Sequence, residues 1–232
     1  MAQVLSLGDV SVDVVFKDIK NVHLSVYPPT GRVRISAPHH MTLEGIRLFA
    51  VAKIGWIKRH QRKICAQPRE TPREFLERES HYLWGRRYLL RLADGDPGVE
   101  ISSRSIELSA PHQATAATRR QVLEDWYRAE VRRQAAPLLA KWQERLGVSL
   151  DRFYVQRMRT KWGSSNPGNR TVRLNLDLAR FPVDCLDYVA LHELAHFVVA
   201  NHNEHFAALL DRHMPGWQQV RARLNEGPLA AI

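Results

Sequence analysis

Leu191-His192-Glu193-Leu194-Ala195-His196 is the stretch that decides how the rest of the chain is read. On a helix, residues four apart share one face, so His192 and His196 can reach a single metal ion. Glu193 then sits beside the open coordination position, where a carboxylate can take a proton from water. The neighbours Leu186, Val189, Ala190, Leu194, Phe197 and Val198 are apolar and predict a helix with its ligand face buried. Two neutral imidazoles in such a setting cost free energy unless they bind something. A lone histidine there would more often be a hydrogen-bonded core residue; the paired spacing around Glu193 changes that reading.

A catalytic zinc usually takes three protein ligands and keeps one position open. His202 lies six residues after His196 and would point away from the pair in an unbroken helix. The chain must leave the helix first, and Ala200-Asn201 is the expected break, because Asn tolerates left-handed backbone. The spacing equals that of metzincins, which place a glycine three residues after the second histidine; Val199 stands there instead. His202 is the leading third ligand, with His205, His213 and Glu204 competing.

Outward from this segment the chain divides into a β-rich part, 1–112, and a part that is mainly helical, 113–232. Val10–Val15 alternates as a half-buried strand. Val22–Tyr27 and Arg32–Ser36 flank Pro28-Pro29-Thr30-Gly31 as a hairpin. Thr42 caps a helix expected over 43–66 with the stripe Leu43, Ile46, Ala50, Ile54, Ile57. Pro68 to Pro72 reads as a linker. Arg86–Leu92 and Val99–Ser102 read as a turn-joined pair, with Ser105–Leu108 one more strand. Val122, Trp126, Val131, Leu138, Trp142 and Leu146 form a long helical stripe that Pro137 should kink or break and Gly147 should end. Phe153–Arg159 and Thr171–Leu176 read as strands around a loop with a hairpin tip at Asn166-Pro167-Gly168-Asn169. No internal repeat stands out. The fold class expected is α+β: a β-rich half with one long helix, then a helical domain with a short sheet.

The chain is long enough for a proper core at 232 residues, and 44% hydrophobic with 25% charged residues is ordinary for a globular protein. No apolar run is long enough to span a membrane, the N-terminus lacks the pattern of a secretion signal, and two cysteines make no disulfide framework. A cytoplasmic protein is the expectation. The net charge of +10 invites a polyanion reading. It is uneven: residues 113–181 hold 14 basic and 6 acidic side chains, and residues 182–232 hold 3 and 6. Arg157, Arg159, Lys161, Arg170 and Arg173 all precede the metal-binding segment.

The stretch from Arg157-Met158-Arg159-Thr160-Lys161-Trp162-Gly163-Ser164-Ser165, through Leu174-Asn175, Leu178 and Pro182, to Asp187–His196 and Asn201–Phe206 resembles the YgjP-like metal-dependent hydrolases. These are a zincin group related to the SprT-like proteases. The N-terminal half is also similar, through Lys53, Trp56-Ile57 and Trp84-Gly85. The resemblance implies zinc held by His192 and His196 with Glu193 as general base, and its Asn-His-x-x-x-Phe stretch, here Asn201, His202 and Phe206, supports His202 over His205. The family pattern usually reads Trp-Gly-Ser-Cys; Ser165 stands in place of the cysteine, a change read as one small side chain for another.

A zinc-activated water can attack a carbonyl or a phosphorus. The first reading is therefore a metallopeptidase acting on peptide or protein. The second is a nucleotide phosphohydrolase of the nucleoside triphosphate pyrophosphatase type. A DNA-associated SprT-like protease and a non-catalytic metal-binding module follow. Arg159, Lys161, Trp162, Gly163 and His205 are candidate substrate-binding residues, with Tyr188 a further candidate for stabilising developing charge. No membrane partner is expected, and the oligomeric state is not readable from the residues.

Overall fold

A computed structural model describes residues 3–27, 30–66, 73–158 and 160–226. Among them lies a mixed α+β fold with sheets in the N-terminal half and most of the helix in the C-terminal half. The Pro28-Pro29 turn, the Pro68–Pro72 linker and Arg159 lie outside the described residues. Two compact units divide after Glu70. The boundary expected at 112 differs because residues 80–110 form a sheet whose apolar face packs in the same core as the long helix that follows.

The first unit begins with β1 (Gln3–Leu7), β2 (Val10–Lys17), β3 (His23–Tyr27) and β4 (Arg32–Pro38), ordered β1-β2-β4-β3. The β1–β2 and β3–β4 pairs are antiparallel, and β2 runs parallel to β4. Strand alternation turns Val10, Val12, Val14, Val33, Ile35 and Ala37 to one face. Against that face pack Ile46 and Ala50 of α1 (Leu43–Ala52) and Ile57 of α2 (Ile54–Ala66). Thr42 accepts a hydrogen bond from Gly45 N at 3.1 Å and caps α1. The single helix expected over 43–66 is interrupted at Lys53, whose φ of −101° and ψ of 5° leave helical space next to the weak helix former Gly55.

The second unit repeats this topology. Its strands β5 (Ser80–Leu83), β6 (Arg86–Asp94), β7 (Gly98–Ile101) and β8 (Ser105–Ala110) are ordered β5-β6-β8-β7. Again the outer pairs are antiparallel and the central β6–β8 pair is parallel. The pair expected from 86–92 and 99–102 is therefore not a hairpin; β8 lies between them. Next comes α3 (Ala116–Leu146), capped by Thr115 and closed by Gly147 in the left-handed conformation at φ 66°. It runs as one helix through Pro137. That residue is on the exposed face, so water can satisfy the carbonyl the proline leaves without a donor. The buried stripe is Leu123, Tyr127, Val131, Ala135, Leu139 and Trp142, displaced by one position at its start from the stripe expected.

A third sheet, β10-β11-β9, joins β9 (Arg152–Gln156), β10 (Gly163–Asn166) and β11 (Thr171–Asn175). β9 lies parallel to β11, while β10 and β11 form the hairpin around the expected tip. The loop expected between two strands thus contains a short edge strand of its own. A 3-10 turn, Leu176–Arg180, leads to α4 (Val183–Ala195), α5 (Glu204–His213) and α6 (Trp217–Glu226). No helix among the described residues is long and apolar enough to cross a membrane.

Candidate active site

α4 is held on several sides. Leu186, Ala190, Leu191 and Leu194 are fully buried in the core of the second unit. Asp187 accepts from Lys141 Nζ at 2.8 Å on both oxygens and from Trp142 Nε1 at 2.6 Å, which fastens α4 to α3. The β5–β6 turn reaches the start of α4, with Trp84 N donating to Ala179 O at 2.7 Å and Gly85 N to Arg180 O at 3.2 Å. A side chain at Gly85 would put its Cβ 2.8 Å from Pro182 Cγ, so only glycine allows this approach.

The helix ends sooner than the sequence suggests. Ala195 is its last residue and His196 its cap, so the break comes well before Ala200-Asn201. The chain turns back through Val199, bringing His202 to the other two histidines. Asn203 then caps α5 by accepting from Phe206 N at 3.0 Å. The Phe206 ring sits 5.0, 4.7 and 4.8 Å from the rings of His192, His196 and His202 and packs against all three.

One nitrogen from each of His192, His196 and His202 falls within 4.8 Å of the others. The Nε2 atoms of His192 and His202 are 3.0 Å apart. Two nitrogens bound to one tetrahedral zinc at ~2.05 Å would be about 3.3 Å apart, so the donor set fits that ion with a small adjustment. Burial pushes the His192 pKa down to about 3, helped by the positive forms of His196 and His202 and by Arg221. Burial also lowers His196. Both imidazoles are therefore neutral at pH 7, as metal ligation requires. His196 Nδ1 is 3.3 Å from Val199 O, a contact only an N–H can make, and this leaves Nε2 as the free donor atom. Tyr188 Oη stands 3.4 Å from His192 Nδ1 in the matching position. Glu204 and His205 open α5 as exposed residues outside the triad, and His213 lies edge-on to Trp142.

Glu193 is 6% exposed and faces β10. A Cβ on Gly163 would lie 2.6 Å from Glu193 Oε1 and 2.7 Å from its Cγ, so glycine makes the space the carboxyl occupies. Burial raises the Glu193 pKa to about 7, against a hydrogen bond from Ser165 and the charge of Lys161 that lower it. Ser165 is thus more than a small filler at the family's cysteine position: its hydroxyl touches the carboxylate. Asn175 supports the same region. Its Nδ2 donates to Met158 O and Lys161 O at 2.8 Å each, tying down the loop that carries Lys161.

A cavity of about 660 Å³ surrounds these groups. Lys161, Trp162 and Gly163 line it; His205 does not. The other described basic residues expected nearby are engaged elsewhere. Arg157 pairs with Glu124 at 3.0 Å and Asp177 at 3.4 Å, Arg170 with Asp151 at 3.1 Å, and Arg173 lies 5.8 Å from the centre of the Tyr154 ring. The sequence reading missed Arg221, Leu224 and Asn225, which enter the cavity from α6. Trp217, at the head of that helix and stacked on Tyr188, was the available signal.

The family model described as YgjP-like, metallopeptidase domain, matches residues 20–227. Among solved structures, the metallopeptidase zymogen jannalysin of Methanocaldococcus jannaschii is 22% identical, with 39% of this chain and 87% of that chain covered and a TM-score of 0.36. The zymogen abylysin of Pyrococcus abyssi is 18% identical, with 39% and 90% covered and the same TM-score of 0.36. No curated protein matches the chain.

Proposed function

Because the chain belongs to the YgjP-like metallopeptidase family, a family of metal-dependent peptidases, we propose that it is a zinc peptidase in which His192, His196 and His202 hold the ion and Glu193 is the general base. The observation that carries this reading is the meeting of three imidazole nitrogens within 4.8 Å, beside a buried carboxyl. When bound, zinc supplies the Lewis acidity that brings a water's pKa towards ~7 and polarises a carbonyl.

The protein's own groups do the rest. Glu193 accepts the water's proton and can return it to the leaving amine; a pKa near neutrality suits both transfers. Ser165 fixes the orientation of the carboxylate. Lys161 offers a positive charge to the cleft, and Tyr188 offers a hydroxyl that burial keeps protonated, with its pKa raised to about 12. Among the described residues β10 is an edge strand paired only with β11, so its outer edge can receive an extended peptide by main-chain hydrogen bonds. The nucleotide reading loses support from the basic stretch, since Arg157, Arg170 and Arg173, expected to meet phosphates, are engaged away from the cavity. Two free cysteines suit a reducing compartment such as the cytoplasm.

The test uses one preparation. Zinc-reconstituted protein should hold about one zinc per chain and cleave an unfolded protein substrate, and His196→Ala should lose both. Glu193→Gln should keep the zinc and lose roughly 10²–10⁴ in turnover. No bound zinc after reconstitution, or phosphate release from nucleoside triphosphates without peptide cleavage, would reject the assignment.

A further inference from the structure

Arg221 lies on α6 and lines the cavity that holds the three histidines and Glu193. Its guanidinium rests over the Trp217 ring, 5.9 Å from the centroid. Trp217 stacks on Tyr188 at 6.0 Å and 6° between planes, and Tyr188 reaches His192. The cation thus lies over a Trp217–Tyr188 stack whose far end meets His192 in a tilted contact, 5.7 Å and 58° between rings. Two positions on, Arg223 is tied to Asp184 at 2.7 Å; Arg221 has no carboxylate partner among the described residues. A solvated arginine on an open helix face needs none. Arg221 is exposed too; what sets it apart is that it lines a concave site and lies over the Trp217 ring.

The charge inventory of that site is one-sided. Among the described residues that line it, Lys161 and Arg221 are the fixed cations and Glu193 is the one acidic residue. Glu193 is already engaged by Ser165 and felt by Lys161, so it is not available to neutralise Arg221. A guanidinium presents a planar fork of donors that matches a carboxylate in two parallel hydrogen bonds.

Resting on the peptidase reading above, we propose that Arg221 forms a carboxylate-binding subsite of the cleft and selects peptides that carry a carboxylate near the bond to be cut. That carboxylate comes from an acidic side chain or from the substrate's own C-terminus.

The decisive measurement is binding, so that it stands apart from turnover. Zinc-loaded Glu193→Gln protein is titrated by fluorescence anisotropy with three labelled decapeptide pools. One is uncharged and amidated, the second carries a central glutamate and an amidated end, and the third is uncharged with a free C-terminal carboxylate. At least one carboxylate pool should bind about tenfold tighter than the uncharged pool. The pool that gains identifies the source of the carboxylate. Adding Arg221→Gln should abolish the gain and leave the uncharged pool unchanged, and Arg221→Lys should keep part of it. With the natural Glu193 restored, Arg221→Gln should raise KM for the favoured pool by about the same factor and leave kcat nearly unchanged. Equal binding of the three pools, or a gain that survives Arg221→Gln, overturns the subsite. Carboxylate-dependent binding without any cleavage would reject the peptidase function and leave the subsite standing.

Discussion

The β1–β4 sheet and the β5–β8 sheet are the same arrangement used twice. Strand order and directions coincide. Both end in Ser-Ala-Pro-His, at 36–39 and 109–112, and both hand over to a helix capped by threonine, Thr42 and Thr115. What differs is what each copy supports. The first closes on its own apolar core of valine, isoleucine and alanine. The second shares its core with α3 and α4, and its β5–β6 turn is pressed against residues 179–182 at the foot of α4. All three buried polar or charged side chains among the described residues, His81, Asn175 and Glu193, belong to the second unit. One topology thus serves once as a self-contained unit and once as a buttress, and the specialisation lies in turns and side chains.

This contrast can be broken by substitution. Gly163→Ala should have the largest effect: the new Cβ meets Glu193 within 3 Å, displaces the proposed base and should lower kcat by at least about 100-fold, with zinc content unchanged. Activity close to wild type would mean that Glu193 is not held against β10.

Next comes the pH dependence of the metal-free protein. The Glu193 pKa is raised from 4.5 to about 7 in the folded state, so the folded chain binds more protons than the unfolded chain between those values. This group's contribution to stability is therefore full below pH 4.5 and is lost as the pH rises through 7. Glu193→Gln should be the more stable form at pH 8, by up to about 3 kcal/mol, and the advantage should vanish near pH 4.5. Thermal melts of both metal-free proteins across pH check this.

Two paired substitutions compare the copies directly. Gly85→Ala meets Pro182 and forces a side chain to φ 79°, and should cost about 2–3 kcal/mol together with activity. Gly8→Ala, at φ 65° with open space around it, should cost about 1 kcal/mol and leave activity intact. The smallest effects belong to the caps. Thr42→Ala and Thr115→Ala should each cost about 1 kcal/mol, read by urea unfolding, and a marked inequality would show that one cap carries tertiary load.

Some of this was legible residue by residue. Helical spacing alone puts His192 and His196 on one face with Glu193 beside them, because that period is a property of the backbone. Alternation likewise marks β2, and glycine after Leu146 marks the end of α3, since local sterics are nearly context-free. The repeat of the two sheets was not apparent, because strands of four to nine residues can exchange most side chains and still pair in the same order. Pro137 misleads in the same way: its local penalty depends on whether the orphaned carbonyl meets water or core.

The chain's order of residues was enough to establish an α+β protein with a histidine pair and an adjoining glutamate on one helix. Folding in three dimensions decided what surrounds them. It ended α4 at Ala195 so that His202 could return to the triad, set Gly163 and Ser165 against Glu193, and brought Arg221 in from α6. Contacts within a helical turn follow from backbone geometry. Contacts between residues tens of positions apart depend on which faces share a core, and on how closely each pair of backbones can approach.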